Sequence, residues 1–131
     1  MKRTIGFLTV FLVLIVSVSA CSSGANDQTL TAENAGKIIE MNVGDTFSIE
    51  LEGNPSTGYT WEVAEMDIAV LKQVGETEFE TESDLVGASG VQVLRFETIG
   101  RGETALNLVY HRPWEEDVLP EEIYEVSVVV K

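Results

Sequence analysis

The residues that could carry out covalent or acid–base chemistry are few. The chain has one histidine, His111, and one cysteine, Cys21, beside 22 acidic and 8 basic side chains. A Ser–His–Asp site would have to be built around His111 alone, and Ser56 and Thr57 have no evident base beside them. A Cys–His pair would need Cys21, which stands at the end of an apolar leader. One cysteine excludes an internal disulfide, and one His with one Cys cannot close a structural zinc site. Carboxylate pairs exist only because carboxylates are so many. No enzyme, metal centre or cofactor is expected.

Three segments have loop chemistry suited to binding. In Asn54-Pro55-Ser56-Thr57-Gly58-Tyr59, Pro55 fixes its own φ, and Gly58 permits a positive φ or the close approach of another chain. The segment is too long for a tight hairpin and richer in special residues than a passive connection needs. Gly87-Ala88-Ser89-Gly90 is a second such loop, and His111-Arg112-Pro113-Trp114 a third. A rigid aromatic beside an arginine is the composition of an interface hot spot. Trp114, after a proline and before three acids, is expected to be exposed rather than part of the core.

The elements that must hold these loops read as strands. Phe47, Ile49 and Leu51 alternate with polar residues, as do Trp61 and Val63. Leu106, Leu108 and Tyr110 share one face; Tyr124, Val126, Val128 and Val130 share another. Ile39, Met41 and Val43 suggest a first strand, and a phase change between Val93 and Leu94 suggests a bulge. No window has a sustained helical period. The expected fold is all-β, an immunoglobulin-like sandwich of about seven or eight antiparallel strands, with Trp61 in its core but no inter-sheet disulfide. Glu76, Glu78, Glu80, Glu82 and Asp84 occupy every second position. On a strand they project from one face, spaced at about 7 Å, and do not converge as a Ca²⁺ site requires. An exposed edge whose charges discourage sheet-to-sheet association is the expected reading.

At 131 residues one domain is expected, and a net charge of −14 excludes nucleic acid as a partner. Lys2 and Arg3 precede an uncharged apolar run, Ile5 to Val18, followed by Ser19 and Ala20. This is a secretory signal layout, shorter than the roughly 20 residues of a spanning helix. Val18-Ser19-Ala20-Cys21 resembles the lipobox of bacterial lipoproteins, although Leu is commoner at its first position. That resemblance implies lipidation of Cys21, cleavage before it, and membrane anchoring in a bacterial cell envelope. Loss of residues 1–20, which hold two basic side chains and no acidic one, takes the charge from −14 to −16. Residues 21–36, small and polar at first, are expected to form a flexible tether, and 37–131 the domain.

With the three loops in order, residues 37 to 131 resemble the chagasin-type inhibitors of papain-family cysteine proteases. That family carries an Asn-Pro-[Ser/Thr]-Thr-Gly-[Tyr/Phe] loop, a Gly-rich loop and an Arg-Pro-[Trp/Phe] loop, matched here by 54–59, 87–90 and 112–114. Gly58-Tyr59-Thr60-Trp61 continues the likeness. The resemblance implies an immunoglobulin-like sandwich whose loops cluster at one end and occlude a papain-like cleft as a monomeric, reversible inhibitor. Thr57 and Gly58 would enter nearest the catalytic pair, with Asn54, Pro55, Ser56 and Tyr59 shaping that loop. Gly87, Ala88, Ser89 and Gly90 would lie along the non-primed side. Arg112, Pro113 and Trp114 would meet the primed side. The leader and the acids around the third loop (Glu115, Glu116, Asp117, Glu121, Glu122) depart from the family pattern and bear on which protease is preferred. The alternative is an immunoglobulin-like surface module that uses the loops for another partner.

Overall fold

A computed structural model describes residues 25–81, 83–85 and 87–131. The leader, Cys21 and Glu82 of the acidic row lie outside them. Among the described residues nine strands form two sheets. They are β1 (Asp27–Leu30), β2 (Ile38–Met41), β3 (Thr46–Gly53), β4 (Thr60–Glu65), β5 (Leu71–Gln73), β6 (Glu78–Thr81), β7 (Gly90–Thr98), β8 (Gly102–His111) and β9 (Glu122–Val130). One sheet runs β1-β3-β7, with β5 and β6 placed end to end along the far edge of β7; the other runs β2-β9-β8-β4.

The alternation read from the sequence selects the inner faces. Phe47, Ile49 and Leu51 of β3 are buried, as are Leu106 and Leu108 of β8 and Tyr124, Val126, Val128 and Val130 of β9. Trp61 is buried with them, and Phe47 stacks on Phe96 with ring centroids 5.2 Å apart. Alternating apolar side chains on two facing sheets exclude water from both, the main favourable term for such a fold.

Four expectations are corrected. The sandwich is not wholly antiparallel: β1 runs parallel to β3, and β2 parallel to β9. The N-terminal segment supplies an edge strand to each sheet, crossing between them through a 3₁₀ turn at Ala32–Asn34. Much of the segment read as a tether therefore belongs to the domain. Leu30 is fully buried, Thr46 donates its N–H to the Asn26 carbonyl (2.9 Å), and the Tyr124 hydroxyl donates to the Thr31 carbonyl (2.9 Å). Leu30 is the only inward residue of β1, so the polar remainder conceals a strand. The first strand expected to include Val43 ends at Met41, and Val43 is exposed.

The fourth concerns the bulge. β7 pairs with β3 without interruption through Val93 and Leu94. The apparent phase change arises because an inward position holds a polar residue, Gln92, which is 4% exposed. Its Oε1 accepts from the Trp61 N–H (3.0 Å) and its Nε2 donates to Thr60 Oγ1 (3.0 Å), so the buried amide joins the two sheets. The register shift of the structure lies in β4, between Val63 and Glu65. The acidic row is only partly a strand. Glu78 and Glu80 share a face of edge strand β6, Glu78 pairs with Arg95 (2.7 Å), and Glu76 and Asp84 fall outside the strand.

Candidate functional site: three loops at one end of the sandwich

The loop between β3 and β4 holds its own shape. Asn54 caps a 3₁₀ turn, Pro55–Thr57, by accepting at Oδ1 from the Ser56 N–H (3.1 Å) and the Ser56 hydroxyl. Pro55 takes the first position of the turn, where a missing N–H costs nothing. Thr57 donates its hydroxyl to the Asn54 carbonyl (2.6 Å), and Gly58 closes the turn at φ +84°. Such a φ costs a residue with a β-carbon about 1 kcal/mol or more. Each special residue noted in the sequence has a local task.

The same residues reach the other two loops. Asn54 Nδ2 donates to the Gly87 carbonyl (3.2 Å), and the Asn54 N–H donates to the Tyr110 hydroxyl (3.0 Å). The Thr57 carbonyl accepts from Arg112 Nε (3.1 Å). Trp114, 67% exposed, lies over Gly58: a β-carbon added there would stand 2.1 Å from Trp114 Cη2. The glycine serves twice, in the left-handed φ and in the absence of a side chain beneath the indole.

A column of aromatic groups ties this end to the core. The Arg112 guanidinium stacks on Tyr59 at 4.5 Å; Tyr59 meets Tyr110 at 5.3 Å and Tyr110 meets Trp61 at 5.1 Å. Trp61 Nε1 in turn donates to the Glu52 carbonyl (2.9 Å). Arg112 Nη1 also pairs with Glu115 (3.0 Å), and hydrogen bonding to that carboxylate raises the arginine pKa above its ordinary value. The arginine thus stays cationic while bridging loop, ring and carboxylate.

The structure brings Asn54, Pro55, Ser56, Thr57, Gly58 and Tyr59 together with Gly87, Arg112, Pro113 and Trp114 at one end. Ala88 and Ser89 continue the second loop, whose turn is closed by the Ala88 N–H to the Leu85 carbonyl (3.2 Å). Gly90 is not a loop residue. It opens β7, opposite Gly53 and Thr81, and a β-carbon there would stand 2.2 Å from the Glu80 carbonyl oxygen. Close approach of edge strand β6 requires it. His111 ends β8 and pairs with Glu62 (2.8 Å), on a neighbouring strand.

Sequence reasoning missed Tyr110 as the hub of the cluster. Its place on the apolar face of β8 marked it as core, and nothing local indicated that its hydroxyl meets Asn54, 56 residues away in sequence. The second function of Asn54, reaching Gly87, was equally invisible.

Comparison with known proteins places this geometry. The family profile described as chagasin family peptidase inhibitor I42 matches residues 40–128. Amoebiasin-2 of Entamoeba histolytica is 29% identical over 103 residues, 78% of this chain and 84% of that protein. Chagasin of Trypanosoma cruzi is 30% identical over 89 residues, 65% of this chain and 81% of that protein. Among solved structures, the Entamoeba histolytica cysteine protease inhibitor EhICP2 aligns with a TM-score of 0.69 at 25% identity, covering 82% of this chain and 97% of its own. The Leishmania mexicana inhibitor ICP aligns at 0.56 with 31% identity, covering 84% and 93%. The family consists of protease inhibitors, not enzymes. By sequence and by fold, the chain belongs to the chagasin family of peptidase inhibitors.

Proposed function

We propose that the chain reversibly inhibits papain-like cysteine proteases by filling the active-site cleft with the three-loop end of the sandwich. The supporting observation is that the loops are already fastened to one another, by Asn54 to Gly87, Arg112 to Thr57 and Trp114 over Gly58. A surface assembled before encounter avoids much of the ordering cost of binding. The central loop has a second relevant property. Its tip is a 3₁₀ turn ending in a left-handed glycine, so no extended peptide bond is offered to the nucleophile in attacking geometry. Thr57 and Gly58 then block the catalytic pair, Gly87, Ala88 and Ser89 flank one side, and Trp114 with Arg112 anchors the other. Papain assayed with increasing inhibitor should show reversible, competitive inhibition, with the inhibitor recovered uncut. Undiminished papain activity at saturating inhibitor would refute this reading.

The sequence also supports a place for the domain. Val18-Ser19-Ala20-Cys21, after the basic start and apolar run, is the basis for proposing that Cys21 carries a lipid anchor on the outer side of a bacterial membrane. Cys21→Ser should abolish incorporation of labelled fatty acid and release the protein or leave unprocessed precursor. Unchanged labelling in that variant would end the proposal.

A further inference from the structure

The chain enters the sandwich at the end away from the three loops. β1 begins at Asp27, opposite Thr46, whereas β3 leaves its sheet at Gly53, next to the Asn54 loop. Three connections turn at the Asp27 end: residues 42–45 between β2 and β3, 66–70 between β4 and β5, and 99–101 between β7 and β8. Hydrogen bonds join them into one surface. The Gly44 N–H donates to the Thr98 carbonyl (2.9 Å), the Ile99 N–H to the Val70 carbonyl (2.9 Å), and the Asn26 N–H to Asp45 Oδ1 (3.1 Å).

Each connection exposes one large apolar side chain: Val43, Ile68 and Ile99. Arg101, beside them, is exposed and belongs to no ion pair among the described residues. Of the nearby acids, Asp45 is buried, its carboxylate accepting from the Asn26 and Asn42 N–H groups (3.1 and 2.9 Å). Asp67 accepts from the Ala69 N–H (2.9 Å), and Glu103 lies on the outer face of β8. The broad faces of the sandwich are acidic, with Glu50 and Glu52 on one and Glu103 and Glu125 on the other. The three-loop end also exposes apolar groups, but Trp114 stands there among Glu115, Glu116 and Asp117. The end where the chain enters is the one that combines apolar turn tips with a free arginine.

We propose that this end of the domain seats on the lipid bilayer and holds the three loops outward, an inference that rests on the lipid anchor proposed for Cys21. Val43, Ile68 and Ile99 enter the boundary between headgroups and acyl chains, where apolar surface leaves water, and Arg101 meets lipid phosphate. Chain length selects the end. Cys21 stands five residues before Asn26, a span of at most about 18 Å. β8, with ten residues, is about 30 Å long, so a bilayer holding the lipid of Cys21 reaches the Asn26 end and not the three-loop end. Charge selects against lying flat, because anionic lipid repels the carboxylates of both broad faces. The seat is separate from the three loops, so it does not depend on whether they block a protease.

The test uses the full chain, produced with its leader in a bacterium so that the Cys21 sulfur is taken by lipid. One added cysteine, Ala69→Cys beside the seat or Leu85→Cys near the second loop, then carries a bimane label. The protein is reconstituted in vesicles of phosphatidylethanolamine and phosphatidylglycerol containing doxyl-labelled lipid, a quencher confined to the bilayer. Bimane at position 69 should be quenched several-fold more strongly than bimane at position 85. Replacing Val43, Ile68 and Ile99 together by Ser should bring quenching at position 69 down toward that at position 85. Equal quenching at the two positions in lipidated protein overturns the proposal. Undiminished quenching in the triple Ser variant overturns it as well, since the tether alone would then account for proximity. Intact protein whose mass lacks the lipid overturns the anchor on which the seat depends, a result distinct from the other two.

Discussion

Trp114 lies across the α-carbon of Gly58, close enough that a single methyl group at Gly58 would collide with the indole. The exposed tryptophan of the third loop is thereby seated on the left-handed glycine of the first. Gly58→Ala should move the indole and strain a φ of +84°. The inhibition constant against papain is expected to rise about tenfold or more, while the domain loses only about 1 kcal/mol of stability. Paired inhibition and urea-unfolding measurements check this, and unchanged inhibition would show that the seating is immaterial.

The two tryptophans should behave oppositely. Trp114→Ala is expected to cost about 2 kcal/mol in protease binding with little change in stability, since the ring is 67% exposed. Trp61→Ala removes a ring that is 3% exposed and should destabilise the fold by about 3–5 kcal/mol. Thermal unfolding beside inhibition assays separates them. Loss of inhibition by Trp114→Ala that merely follows a fall in folded fraction would contradict the assignment.

Burial pushes the Tyr124 phenol up to about 12. In the unfolded chain it ionises near 10, so the folded state holds its proton more tightly. Its contribution is complete below about pH 10 and is lost as the pH rises through 12. Tyr124→Phe also removes the hydrogen bond to Thr31 and should cost about 1 kcal/mol at neutral pH. Between pH 10 and 12 the parent should lose more unfolding free energy than the Phe variant in urea titrations. Parallel losses in both chains would contradict the shift.

Glu115, Glu116, Asp117, Glu121 and Glu122 crowd the third loop. Such a field should speed encounter with a protease whose cleft rim is basic, an effect screened over about 8 Å at physiological ionic strength. The association rate should fall as salt rises while dissociation changes little. Replacing Glu115, Glu116 and Asp117 by Gln, Gln and Asn should flatten that dependence in stopped-flow measurements. A salt-independent association rate in the parent would remove steering and leave the three-loop mechanism intact.

Much of this architecture follows from local sequence. The inward faces of β3, β8 and β9 follow from alternation, because side chains of a strand point to opposite sides in turn. The turn at Asn54–Gly58 is equally local: the cap, the proline and the left-handed glycine act within five residues. The three motifs sufficed to indicate the family, since each keeps its residues contiguous.

What tertiary structure decided are relations that alternation does not encode. Strand direction is one: the same pattern serves a parallel or an antiparallel neighbour, so the pairings of β1 with β3 and β2 with β9 could not be read. Burial of Gln92 is another, because its cost is offset only by Thr60 and Trp61, more than thirty residues away in sequence. The union of the loops is the third. Asn54 meets Gly87 across 33 residues and Arg112 meets Thr57 across 55, contacts that exist only once β3 has paired with β7 in one sheet and β4 with β8 in the other, with the first loop crossing between them.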